Sequence, residues 1–148
     1  YYSLFWIVTF FTIGHTFSLF ISTYGIYNPD LNIIEFLIPI TILFSAVSNL
    51  FLKVQVKKSS LSYLVSLLFG LIHGFGFAGF YDQITFSDKI EFTPLIGFTI
   101  GVEIAQIIIV FFVLLLSTIL NSRRNFFSKN FIKIMSILIC LLTILIFF

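Results

Sequence analysis

Four ionisable side chains interrupt long apolar stretches of the sequence: His15, Glu35, His73 and Glu103. Ionisable groups are costly inside a bilayer, so those that occur in apolar segments are candidates for function. Imidazole and carboxylate ligands together suit nickel, cobalt, zinc or iron, whereas magnesium and calcium prefer oxygen ligands. We therefore take His15, His73 and Glu103 as candidate ligands of a divalent transition metal.

Polar neighbours share helix faces with these residues. Gln106 lies three residues after Glu103, and Thr12 and Ser18 lie three residues on either side of His15. The candidates for lining a pathway or supporting the ligands are Glu35, Asn49, Gln106, Thr12 and Ser18. Hydrogen bonding between helices is the simpler explanation for serine and threonine, and for a single histidine, in such segments.

Composition identifies the environment in which these residues act. The chain has 148 residues, of which 59% are hydrophobic and 9% charged, with a net charge of +2 and a mean hydropathy of +1.16. Too few polar residues remain to cover a surface in water, and nothing suggests nucleic acid as a partner. The single Cys140 excludes an internal disulfide. We predict an all-α polytopic transmembrane bundle and a single domain, with helices at about 2–21, 33–52, 61–80, 92–120 and 131–148.

The basic residues give the bundle an orientation. Seven of the eight lysines and arginines follow the second or the fourth predicted helix, whereas the opposite breaks carry most of the acidic residues. Because positively charged loops stay in the cytoplasm, residues 53–60 and 121–133 are predicted to be cytoplasmic. The four ionisable residues then fall between the middle of the membrane and its outer face.

Small residues recur at every fourth position in the third and fourth predicted helices. This spacing lets helix backbones approach closely in lipid, which predicts that these two helices are neighbours. The residues concerned are Gly70, Gly74 and Ala78 in the third helix, and Gly97, Gly101 and Ala105 in the fourth.

Three ordered runs resemble the HupE/UreJ family of hydrogenase and urease accessory membrane proteins, which are regarded as nickel or cobalt permeases. These are residues 11–19 (FTIGHTFSL), 69–78 (FGLIHGFGFA) and 101–106 (GVEIAQ). Glu35 and Asn49 also stand where that family places a Glu and an Asn. The resemblance implies a bacterial cytoplasmic (inner) membrane protein. Family members carry an earlier helix with a Gly-x-Asp-His motif, so at least one further helix is expected before Tyr1.

These observations lead to one main hypothesis and two alternatives. The main hypothesis is a permease for nickel or cobalt that supplies metalloenzyme maturation, with no tightly bound cofactor and no enzymatic activity. Its partners would be the lipid bilayer, the divalent metal ion, and a second copy or another subunit of a membrane complex. The alternatives are an intramembrane zinc-dependent hydrolase and a non-transporting subunit that packs through its glycines.

Overall fold

A computed structural model describes residues 2–51, 60–84, 92–121 and 126–147 of the chain. They form five helices, and no strand occurs among these residues, so the predicted fold class is confirmed. All five are long and apolar enough to cross a membrane. The helices are α1 (Tyr2–Thr23), α2 (Leu31–Phe51), α3 (Ser60–Ile84), α4 (Phe92–Asn121) and α5 (Phe126–Phe147).

The predicted helix limits differ most from the structure at the start of α5, which begins at Phe126 rather than near residue 131. Of the two basic segments used to orient the chain, 53–60 and 121–133, residues 53–59 and 122–125 lie outside the described residues. The assignment of these segments to the cytoplasm therefore stays a prediction.

Local sequence determines where α1 ends and α2 begins. Gly25 adopts a positive φ of 66°, and the amides of Gly25 and Ile26 donate to the carbonyls of Ser22 and Ile21 at 2.9 and 3.0 Å. This pattern closes a helix with a left-handed residue that glycine tolerates best. Asp30 then caps α2, because its side chain accepts a hydrogen bond from the amide of Asn32 at 2.9 Å.

The chain folds as two compact units, and most of the candidate residues lie in the first. That unit comprises Tyr1–Ile38 and Val56–Gln106, which include α1, α3 and the first parts of α2 and α4. The second unit comprises Pro39–Gln55 and Ile107–Phe148, with the remainder of α2 and α4 and all of α5. The assignment of the whole chain to one domain stays a prediction.

Helices α1 and α3 run parallel with their backbones in direct contact. A Cβ atom added to Gly70 would collide with the carbonyl oxygen of Phe11 and lie 3.0 Å from the amide nitrogen of His15. A Cβ at Gly74 would collide with the carbonyl oxygen of His15, and one at Gly14 with that of Leu67. Because only glycine fits at these three positions, they set the distance between the two helices.

The small residues of α4 do not form a matching contact. A Cβ added to Gly97 or Gly101 meets no atom within 4 Å, and Ala105 is exposed. The small residues were the ground for predicting that α3 and α4 are neighbours, but Gly70 and Gly74 face α1 instead. The two helices do touch, but through the rings of Phe77 and Phe98, whose centroids are 4.8 Å apart.

The packing predicts opposite effects for the same substitution on two helices. Gly70→Ala should lower the free energy of unfolding by about 1–3 kcal/mol, because the added methyl group meets backbone that cannot move aside. Gly101→Ala is the matched control and should raise stability by up to about 1 kcal/mol, because alanine favours a helix over glycine and the site is open. Unfolding in detergent micelles, followed by circular dichroism, measures both values. Equal changes in the free energy of unfolding for the two variants would contradict the backbone contact between α1 and α3.

Candidate cation site

Both histidines of the sequence line one cavity, although they lie on different helices. The cavity has a volume of about 410 Å³ and is formed by α1, α3 and the first parts of α2 and α4. His15 follows Gly14 and His73 precedes Gly74, so the glycine contacts that join α1 to α3 also bring the two imidazoles to the same space. The lining residues are Phe11, His15, Ile38, His73, Gly76, Phe77, Phe98 and Val102.

The orientation of His73 is determined by its own helix. Its Nδ1 atom lies 2.8 Å from the carbonyl oxygen of Phe69, one turn earlier. A carbonyl oxygen can only accept, so Nδ1 carries the proton and Nε2 of the neutral ring keeps a free lone pair. Metal-binding histidines commonly hold their second nitrogen in this way. His73 therefore has the tautomer that a cation ligand needs.

Aromatic side chains surround the buried His15. Its ring stacks on Phe98 with centroids 5.9 Å apart and an interplanar angle of 26°, and its centroid lies 5.9 Å from that of Phe77. Phe11 contacts both imidazoles, with ring centroids 6.2 Å from His15 and 5.4 Å from His73. Three phenylalanines thus hold the two histidines in a mainly apolar environment, in which ring faces can also attract a cation.

Glu103 lies outside this lining, although it belongs to the same unit. Its Oε1 accepts a hydrogen bond from Thr9 at 3.3 Å. Among the described residues, no group of three or more His, Cys, Asp or Glu side chains is arranged to hold a metal. The structure thus brings His15 and His73 together, and a ligand role for Glu103 stays a prediction.

The remaining candidates have other surroundings. Thr12 donates to Gln106 Oε1 at 3.1 Å, which links α1 to α4. Ser18 Oγ lies 3.1 and 3.0 Å from the carbonyl oxygens of Gly14 and His15, so its hydroxyl donates within its own helix. Glu35 is exposed, and Asn49 is exposed and belongs to the second unit. Of the five pathway candidates, none lines the cavity.

Several residues at the site were not singled out by the sequence. Thr9 and Thr16 continue the face of Thr12, and Thr16 donates to Thr99 on α4 at 3.3 Å. Their spacing of three and four residues was the available signal. Nothing in the sequence distinguished Phe77 and Phe98 from the other phenylalanines, which number 22 in the chain.

A family model described as HupE / UreJ protein matches the chain over residues 1–148. No curated protein and no solved structure matches it. The family comprises proteins that generally transport nickel or cobalt or act as accessory proteins.

The hydrogen bond between Thr12 and Gln106 predicts a measurable coupling between α1 and α4. In a double-mutant cycle with Thr12→Val and Gln106→Leu, the coupling energy should be about 0.6 kcal/mol and at most about 1.7 kcal/mol, as for other hydrogen bonds between membrane helices. The control cycle pairs Gln106→Leu with Thr118→Val, because Thr118 is exposed and donates to its own helix at Leu114. Unfolding in detergent gives each value, and a Thr12 cycle no larger than the control would contradict the bond.

Proposed function

The chain belongs to the HupE/UreJ family, and on this basis we propose that it is a permease for a divalent transition metal, with nickel as the first candidate and cobalt as the second. It is a multi-pass membrane protein of a transport and accessory family that is not known for enzymes. The metal ion is therefore the substrate that the protein moves. Delivery of that metal to maturing metalloenzymes is the role we assign to it.

The observation that carries the proposal is the cavity that contains both histidines of the chain. Imidazole nitrogen is a good ligand for nickel and cobalt and a poor one for magnesium and calcium. A volume of about 410 Å³ accommodates a cation and several waters, each of which occupies about 30 Å³. Two protein ligands with water completing the coordination suit a site that must release its ion.

The histidines and the phenylalanines of the cavity contribute to metal binding in different ways. His73 offers Nε2, since Nδ1 is held by Phe69, and His15 offers the second ring. Two neutral imidazoles leave the charge of the ion uncompensated, and the faces of Phe11, Phe77 and Phe98 partly offset it. Binding is then selective through the nitrogens and weak enough for transport.

We further propose that the protein lies in a bacterial cytoplasmic membrane with residues 53–60 and 121–133 inside. The metal then enters from the outer side, where Asp30 and other acidic residues of the outer breaks raise the local cation concentration. The hydrolase alternative is not favoured, because a catalytic zinc needs three protein ligands and the described residues contain no such group.

Uptake of radioactive nickel into proteoliposomes tests the proposal. His15→Phe and His73→Phe keep a planar aromatic side chain and remove the nitrogens. Each should reduce uptake by about tenfold or more, since loss of a ligand costs at least as much as loss of a group that orients one. The double variant lacks both imidazoles of the cavity and should be inactive. Purification must use a tag without histidine.

Tyr63→Phe is the matched control, because it also removes a polar atom from an aromatic ring while keeping the ring. Tyr63 stacks on Phe10 with centroids 5.4 Å apart and does not line the cavity. Its uptake should equal that of the wild type. A wild-type protein that takes up no more nickel or cobalt than empty liposomes would reject the permease and favour an accessory role.

A further inference from the structure

A second group of polar side chains lies between α1 and α4, on a different face from the cavity. Its members, here called the oxygen cluster, are Thr9, Thr12, Glu103 and Gln106. With about 100° between successive residues of a helix, the Thr9 and Thr12 face of α1 is rotated by roughly a quarter turn from the face that carries His15. None of the four lines the cavity. The oxygen cluster is therefore a separate polar site.

The two hydrogen bonds of this cluster cross each other. Helices α1 and α4 are antiparallel, because Thr16 pairs with Thr99 while Thr12 and Thr9 pair with residues further along α4. In this register Thr12 lies level with Glu103 and Thr9 level with Gln106. Thr9 nevertheless bonds to Glu103, and Thr12 to Gln106. Measured along the helix axes, all four side chains thus lie within a rise of three residues, which is about 4.5 Å.

The hydroxyl of Thr12 has two acceptors within reach. Thr12 Oγ1 lies 3.1 Å from Gln106 Oε1 and 3.2 Å from the carbonyl oxygen of Val8. A hydroxyl has one proton, so it donates fully to only one of these two acceptors at a time. The side-chain oxygen of Gln106 is therefore not committed to Thr12 and can also face a cation.

The charge of the cluster also requires compensation. Helices α1 to α4 contain no lysine or arginine, and the hydrogen bond that Glu103 receives comes from a neutral hydroxyl. A carboxylate within a membrane helix is costly unless a positive charge accompanies it. Hard cations prefer carboxylate, hydroxyl and carbonyl oxygens over imidazole.

We propose that the oxygen cluster binds a sodium ion. Two hydroxyls, one amide oxygen and one carboxylate supply only oxygen ligands, which hard cations prefer. The single carboxylate balances one positive charge, which selects sodium over calcium. In the permease proposed above, and only if that function holds, this sodium is the coupling ion.

Binding of radioactive sodium to the purified protein, without nickel present, tests the site. The wild type should bind sodium saturably, and potassium and N-methylglucamine should compete less well than unlabelled sodium. Glu103→Gln keeps the shape and still accepts from Thr9, but it removes the charge and should weaken binding by about tenfold or more. Absence of saturable binding in the wild type, or equal binding by Glu103→Gln, would overturn the proposal.

Two further comparisons separate the site from a general effect on folding. Thr118→Val removes an exposed hydroxyl of α4 that donates to Leu114 of the same helix, and it should leave sodium binding unchanged. Thr12→Val should lose binding and Thr12→Ser should restore it, because serine retains the hydroxyl. An equal loss in Thr12→Ser and Thr12→Val would overturn the proposal.

Failure of the sodium site can also be distinguished from failure of the proposed nickel permease. His73→Phe should lose nickel binding and keep sodium binding, since His73 lines the cavity and none of the four cluster residues does. Sodium binding without any nickel transport would reject the permease alone. Nickel transport without sodium binding would reject the oxygen cluster as a cation site and leave the permease intact.

Discussion

The backbones of α1 and α3 touch at Gly14, Gly70 and Gly74, where no side chain separates them. In lipid, where helices gain nothing from hiding apolar surface, such close approach supplies the dispersion contacts that hold them together. Each histidine is the chain neighbour of one of these glycines. The packing contact and the cavity are therefore one feature of the fold, and a change in helix spacing would also change the distance between the imidazoles.

Helix α4 completes two sites with two adjacent faces. Phe98 and Val102 close the cavity beside the histidines, whereas Glu103 and Gln106 meet the threonines of α1. Helix α1 contributes to both sites in the same way, with His15 on one face and Thr12 on the next. The two histidines and the oxygen cluster are thus separated by rotation around two shared helices, and a movement of α1 relative to α4 would affect both.

The sequence predicted the five helices well, because their length and apolar character follow from composition alone. It also singled out His15 and His73, since ionisable groups are conspicuous in apolar segments. Rotation of each helix about its axis was not predictable, because helices that are apolar on all sides carry no pattern that selects an inner face. For this reason two glycines from similar four-residue repeats differ in their contacts, since Gly70 meets the backbone of α1 and Gly101 meets no atom within 4 Å. For the same reason Glu103 contacts Thr9 rather than the cavity.

In the proposed site, imidazoles from two helices share one transition metal ion. X-ray absorption at the nickel edge, recorded on purified protein loaded with one equivalent of nickel, tests it most directly, because scattering from imidazole rings differs from that of oxygen ligands. We expect two imidazoles for each nickel ion, with oxygen ligands completing the coordination. A spectrum explained by oxygen ligands alone would contradict it.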